Sequence, residues 1–374
     1  MYIRYASYDE FQSIGKPPHA VWDKQNKQWI VHNYELYMQE LYKFLGIQTP
    51  STIPAKTFYS QGKKLYLARA IIEPQDQFLF STANETHNKS TEYYCLPDCI
   101  GIRRMIRKYV NLPDEFKPRE LPNIDDYIPQ FLFEHQVAGV KWLVSRYKIG
   151  YSGAILADDM GLGKTAQAIS FYHVLKSVNP DIKLFVVAPK STLKNAWAND
   201  MDKFFNLESN IYATDDVRAE SIQYNKPVVI NYEALSYMYR EDSSKLPVLD
   251  SSYILVLDEA TKIKNNKTDI FNAIAHLRGK AFTIAISGTP VENHLEEFYT
   301  ILKVVQPNFM PKYEFSKLFV EYEEFNIGNK PVYRVVGHKN VRLFYNITSD
   351  FVLRRDKSIV NMPDKVIKNI VVPL

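Results

Sequence analysis

The apolar run Gly153-Ala154-Ile155-Leu156 leads directly into Ala157-Asp158-Asp159-Met160-Gly161-Leu162-Gly163-Lys164-Thr165, a short strand that delivers a glycine-bearing loop to the start of a helix. Glycines in such a loop let successive backbone N–H groups turn inward around phosphate oxygens, while a lysine reaches the β- and γ-phosphates and a hydroxyl holds Mg²⁺. Lys164 and Thr165 occupy those two positions. Met160, Gly161, Leu162, Gly163, Lys164, Thr165 and Ala166 are therefore the expected nucleotide-binding run, with ATP and Mg²⁺ as the expected cofactors. Asp158 stands where the general G-x-x-x-x-G-K-T pattern has its first glycine.

Outward from this loop, β-type apolar runs alternate with helical stretches from about residue 128 onward, which predicts an α/β fold with a parallel sheet flanked by helices. Candidate strands are 154–156, 184–187, 228–230, 254–257 and 283–286. In open α/β sheets ligands bind beyond the carboxyl ends of strands, so the residues that follow these runs are where chemistry is expected. Residues 1–120 read instead as a small α+β accessory domain, with a hairpin around Ser60-Gln61-Gly62-Lys63-Lys64 and a helix over 34–45. The proline-bearing stretch 116–122 reads as a linker, residues 121–310 as the main lobe, and 311–374 as a mostly helical, aromatic extension and hinge.

Composition bounds the function classes. At 374 residues, 46% hydrophobic and 24% charged, the chain suits a soluble protein of two or three domains. It lacks both a signal-peptide core and any run of about 18 apolar residues. The expected location is cytosolic, nucleoid or nuclear, with no membrane partner. A formal charge of +4 permits a polyanionic partner without requiring one. Cys95 and Cys99 cannot build a disulfide framework and read as reduced thiols.

Hydrolysis needs a carboxylate for the metal and a second group for the attacking water. Asp258-Glu259-Ala260-Thr261 follows an apolar strand and supplies both, so Lys164, Asp258 and Glu259 are the expected catalytic set, and Thr165 with Asp258 the expected Mg²⁺ ligands. Alone, the acidic pair would read as a solvated loop end. Ser287-Gly288-Thr289-Pro290 follows another strand, and Ser287, Gly288 and Thr289 are expected to couple nucleotide state to movement; taken singly they are a turn. Gln136, whose amide carries one donor and one acceptor face, is expected to read the adenine edge, the alternative being a surface glutamine on an amphipathic helix. Lys190, Ser191 and Lys194, and likewise Asn231 and Tyr232, follow strands in the position from which N–H groups, hydroxyls and lysines meet nucleic-acid phosphates. Each also has a capping or turn explanation.

Taken in this order, the motifs resemble the first motor lobe of the Swi/Snf-type ATPases, the chromatin-remodelling and DNA-translocating branch of helicase superfamily two. Matching features are Glu134-His135-Gln136 with Trp142-Leu143, Asp158 through Thr165, Ser191-Thr192-Leu193, Asn231-Tyr232-Glu233, Asp258-Glu259-Ala260, Ser287-Gly288-Thr289-Pro290, and the closing Leu353-Arg354-Arg355-Asp356-Lys357. The resemblance implies a RecA-like phosphate-loop domain and an ATP-dependent translocase or remodeller of double-stranded or branched DNA. Thr261 departs from the family's usual histidine, which bears on coupling more than on ATP binding. The family's second RecA-like lobe, with its arginine fingers, is expected to be missing from this chain, leaving it weakly active alone. Arg354 and Arg355 read as a basic hinge rather than as substitutes for those fingers. The alternatives are a nucleotide-gated nucleic-acid-binding module without motor activity, or an RNA-directed helicase.

Residues 22–31, with Trp22 and Trp29 flanking a polar turn, and the helical pattern after them resemble the HARP-type accessory domain of annealing helicases. The two tryptophans can stack on bases or close a small core. Arg103, Arg104, Arg107 and Lys108 would line one basic helix face.

Overall fold

The computed structural model describes residues 57–84, 92–112, 116–213, 218–288, 295–327 and 330–359, together with three short strands at 2–3, 20–23 and 28–31. Contacts divide the chain into two units, Met1–Leu96 and Pro97–Leu374. In the first unit, β1 (Tyr2–Ile3), β2 (Ala20–Asp23) and β3 (Gln28–Val31) form an antiparallel sheet in the order β1-β3-β2, with Trp22 paired opposite Trp29. The expected hairpin is present as β4 (Phe58–Gln61) and β5 (Lys64–Ala68), turned by Gly62 at φ +60° and extended by β6 (Tyr93–Pro97). Leu65, Leu67, Tyr94 and Leu96 are buried beside Phe80 of α1 (Pro74–Ala83). The helix expected over 34–45 lies outside the described residues. Cys95 and Cys99 are buried and not joined in a disulfide.

The second unit runs, in chain order, α2 (Ile100–Ile106), α3 (Glu134–Ile149), β7 (Gly153–Leu156), α4 (Lys164–Val178), β8 (Lys183–Ala188), α5 (Asn199–Phe205), β9 (Asn210–Tyr212), β10 (Val228–Asn231), α6 (Tyr232–Asp242), β11 (Tyr253–Leu257), α7 (Asp269–Arg278), β12 (Phe282–Ile286), α8 (Leu295–Val305), α9 (Lys312–Phe319), β13 (Val320–Ile327), β14 (Lys330–His338), α10 (Val341–Thr348) and β15 (Val352–Leu353). Its main sheet has seven strands, all paired in parallel, in the order β15-β7-β12-β11-β8-β10-β9. The inner strands are continuous Val, Ile, Leu and Phe runs because helices cover both faces. The five predicted runs match β7, β8, β10, β11 and β12 to within a residue at each end. Both edge strands, β9 and β15, escape the sequence reading because two or three residues carry no periodicity. No helix among the described residues is long and apolar enough to cross a membrane.

Three expectations are corrected. Residues 97–112 and 116–120 belong to the second unit, not to the accessory module. Within that unit, the expected linker is strapped to α3: the Arg119 N–H donates to the Lys148 carbonyl at 2.8 Å, and its guanidinium lies 4.3 Å over the Tyr147 ring. The basic helix α2 does not present a clear cationic face, since Arg103 forks onto Asp98 and Arg104 pairs with Asp350. Finally, the segment after residue 311 is not mostly helical. A long antiparallel hairpin, β13 with β14, separates α9 from α10 because Val320, Tyr322, Phe325, Val332, Tyr333, Val335 and Val336 are β-branched or aromatic. The flanking helices close an aromatic core in which Phe298, Phe315, Phe319 and Phe344 are fully buried.

Gly153 marks the tightest approach inside the sheet: a Cβ there would stand 2.1 Å from the Thr283 carbonyl oxygen on β12. Gly153→Ala is expected to destabilise the unit by about 1–3 kcal/mol through overpacking, measured as a lowered urea midpoint.

Candidate functional site

Four neighbouring strands end together. Leu156 is level with Ile286, and Leu257 with both Ala285 and Val187, so the residues after β7, β12, β11 and β8 emerge along one edge of the sheet. The phosphate loop leaves β7 with Gly161 at φ +91° and Gly163 at φ +71°, conformations that disfavour a side chain. Gly163 is doubly required, because a Cβ would meet Gln136 Nε2 at 2.1 Å. The loop then enters α4 at Lys164, which places the N-terminal N–H groups and the Thr165 residue at its mouth.

Lys164 Nζ folds back onto the loop's own carbonyls, 2.6 Å from Asp158 O and 3.1 Å from Asp159 O. Burial pulls its pKa down, and Asp158, Glu259, Asp258 and Asp159 pull it back up. The ammonium therefore sits among the carboxylates of two strand tips. Gly288 joins them: a Cβ on it would lie 2.9 Å from Met160 Cγ and 3.9 Å from Lys164 Nζ. Ser287 is buried, and its N–H donates to the Leu156 carbonyl at 3.1 Å. Thr289 lies outside the described residues.

Asp158 accounts for its own departure from the glycine pattern. Its side chain is fully buried and takes both prongs of the Arg355 guanidinium, Nε at 3.0 Å and Nη2 on the second oxygen. Arg355 also donates to Gln167 Oε1 at 2.9 Å and to the His135 carbonyl. Gln167, itself fully buried, donates to the Leu162 carbonyl at 3.3 Å. Gly139 leaves the room for this cluster, since a Cβ there would strike Gln167 Oε1 at 1.9 Å. The pair is reinforced by the backbone: the Ala157 N–H donates to Leu353 O at 2.7 Å, and the Asp159 N–H to Arg355 O at 2.9 Å.

Asp258 is 8% exposed at the tip of β11. Its Oδ2 accepts the Trp197 indole N–H at 2.9 Å, and its Oδ1 the Glu259 N–H at 3.0 Å. Desolvation raises its pKa, and the Trp197, Glu259 and Thr192 hydrogen bonds and the Lys164 charge oppose that rise. Glu259 is half-buried in a left-handed conformation, φ 49° and ψ 55°. A non-glycine residue in that region costs on the order of 1–3 kcal/mol and tends to persist where function demands it.

The remaining predicted residues divide. Lys190, Ser191 and Lys194 are exposed beyond the tip of β8. Asn231 and Tyr232 are fully buried, which corrects the expectation that their side chains meet nucleic acid; the Tyr232 hydroxyl instead donates to the Asp258 carbonyl at 2.7 Å. Gln136 is 9% exposed, its Oε1 accepting the Phe133 N–H at 3.1 Å while Nε2 faces the Leu162 carbonyl. Reading adenine from this position requires it to exchange those partners. Sequence reasoning missed Trp197, Gln167 and the ion-pairing role of Arg355. The one available signal was Arg355 itself, standing inside the closing motif stretch Leu353-Arg354-Arg355-Asp356-Lys357.

Two outcomes follow. Arg355→Ala leaves the Asp158 carboxylate buried without its cation and is expected to cost about 3–5 kcal/mol, read from denaturant unfolding. Glu259→Gly removes backbone strain and is expected to raise stability by about 1 kcal/mol, visible as a higher melting temperature.

Residues 135–374 match the family model described as the SNF2-related domain. Among curated relatives, "Nuclear protein STH1/NPS1" of Saccharomyces cerevisiae is 31% identical over 63% of this chain and 18% of its own length. "ATP-dependent DNA helicase DDM1" of Arabidopsis thaliana is 28% identical over 62% of this chain and 31% of its length. The "Uncharacterized ATP-dependent helicase MG018" of Mycoplasma genitalium is 32% identical over 65% and 22%. The chain thus spans less than a third of each of these relatives. A solved structure titled "Sulfolobus solfataricus SWI2/SNF2 ATPase core in complex with dsDNA" is 30% identical, covering 65% of this chain and 47% of that one at a TM-score of 0.49. With its family model matched over well more than half its length, this chain belongs to the SNF2-related domain family.

Proposed function

We propose that this chain is the first motor lobe of an ATP-dependent double-stranded DNA translocase or remodeller, a hydrolase acting on ATP. The observation that carries the reading is Lys164, set between a left-handed glycine loop and the Asp258-Glu259 strand tip. Phosphates arriving at α4 draw the ammonium off the Asp158 and Asp159 carbonyls and onto their own oxygens, at the end of a helix whose free N–H groups favour anions. Asp258 and Thr165 are the Mg²⁺ ligands in this reading. The donor set fits: a carboxylate and a hydroxyl are hard oxygen ligands, and Mg²⁺ in nucleotide sites takes one or two protein oxygens with phosphates and water rather than a closed protein cage. Held by these two residues, the ion would supply positive charge to offset that of the phosphates. Glu259, held at φ 49° beside it, orients the attacking water and accepts its proton.

The arginines that stabilise charge in phosphoryl transfer have to come from a second lobe in this reading. Arg355 is committed to Asp158, Gln167 and the His135 carbonyl, and it is not spare for the γ-phosphate. The name of one relative, an ATP-dependent DNA helicase, supports DNA as the track. Exposed Lys190, Ser191 and Lys194 form the face that meets its phosphates. One relative is named a nuclear protein, which supports a nuclear setting.

Lys164→Ala is expected to abolish ATP binding, and Glu259→Gln to bind ATP and stop turnover; equal nucleotide affinity in wild type and Lys164→Ala would contradict the site. Substituting Lys190 or Lys194 by alanine should lower the slope of log affinity for duplex DNA against log salt by about 0.9 per lysine. A slope unchanged in both variants removes that face from the DNA interface.

A further inference from the structure

Both strand-tip elements that the sequence assigned to a nucleic-acid backbone end their inward side on one residue, Asp258. From the first, the Trp197 indole N–H donates to Oδ2 at 2.9 Å, with Thr192 Oγ1 at 3.5 Å from the same oxygen. From the second, the Tyr232 hydroxyl donates to the Asp258 main-chain oxygen at 2.7 Å. Trp197 and Tyr232 are fully buried, so neither touches a ligand itself.

The geometry of the first element is specific. Residues Leu193–Ala198 form a π-helical turn, a rare widening of the helix that occurs preferentially at functional sites. That one turn carries exposed Lys194 on its outer side and Trp197 on its inner side, and exposed Lys190 and Ser191 lie immediately before it. A displacement of the outer face therefore carries the indole with it. At the far end the carboxylate has little freedom, because the Glu259 N–H holds Oδ1 at 3.0 Å while the indole holds Oδ2. Moving one of two opposed donors turns the carboxylate plane.

We propose that Trp197 and Tyr232 are positioning residues that transmit occupancy of the face bearing Lys190, Ser191 and Lys194 by duplex DNA to the Asp258 carboxylate, so that DNA and Mg²⁺-nucleotide each change the other's affinity. The proposal rests on the ATPase reading above. Linkage makes the effect reciprocal, so it is measurable without turnover.

The test uses the full 374-residue chain. The dissociation constant of a labelled duplex is measured by anisotropy at fixed salt, with and without a saturating non-hydrolysable ATP analogue and Mg²⁺. Wild type is expected to show a ratio of the two constants on the order of 5–150, and Trp197→Phe, which keeps the ring and loses the N–H, a ratio within about twofold of one. Duplex affinity without nucleotide should be the same in both. Tyr232→Phe, which removes one hydroxyl, should lower the ratio in the same direction, and it carries the test if the tryptophan variant melts early. A wild-type ratio retained in both variants overturns the proposal and leaves the site intact. A wild-type ratio of one, with both ligands bound, also overturns it. Failure of wild type to bind nucleotide or duplex at all would instead remove the ATPase reading, and the proposal with it.

Discussion

A carboxylate buried to zero exposure at the mouth of a phosphate loop must have a cation, and in this chain Asp158 has Arg355, almost 200 residues downstream. Unpaired, the charge would cost several kcal/mol; paired bidentately, it fixes two segments in one geometry. The consequence runs in both directions along the chain. Upstream, Gly139 on α3 is small because Gln167 and Arg355 need the space, and the Leu162 carbonyl is held by donors from His135, Gln136 and Gln167. Downstream, β15 is held to β7 as a sheet edge by backbone bonds that continue past the strand to Asp159. Asp350 anchors the start of that strap through Arg104, Arg146 and the Tyr151 hydroxyl. The phosphate loop is thus clamped from outside by the segment that leaves the lobe, rather than by its glycines alone.

The second organising residue is Asp258. It lies where four strand ends meet, and its hydrogen bonds reach the elements that follow β8 and β10 as well as the Glu259 N–H beside it. A strained Glu259 follows it directly. Strain, burial and convergent hydrogen bonds meet at this one strand tip, and none of the three can be read from the letters Asp-Glu-Ala-Thr.

The central sheet was legible because buried parallel strands are written as continuous apolar runs, and the phosphate loop because glycine, lysine and threonine have separate jobs at fixed spacing. What stayed hidden was long-range or locally ambiguous. Arg355 read as a hinge residue because its partner is distant in sequence. Tyr232 read as a surface contact because an aromatic hydroxyl after a strand looks the same whether it faces outward or toward Asp258. The β13–β14 hairpin read as helix because aromatics and charges alternate in both kinds of element, and strand length rather than pattern decides between them. Trp197 went unread, because its role depends on a π turn that sequence periodicity does not announce.

The central claim, that the strand tips of β7, β11 and β12 form one nucleotide site, is tested most directly by hydrogen–deuterium exchange on the whole chain with and without Mg²⁺ and a non-hydrolysable ATP analogue. Amides slow their exchange where ligand and closure hold them. The account predicts new protection concentrated in peptides covering residues 158–167 and 257–262, with little change in the β13–β14 hairpin. Unchanged exchange in both peptides at saturating nucleotide, or protection confined to other parts of the chain, would contradict it.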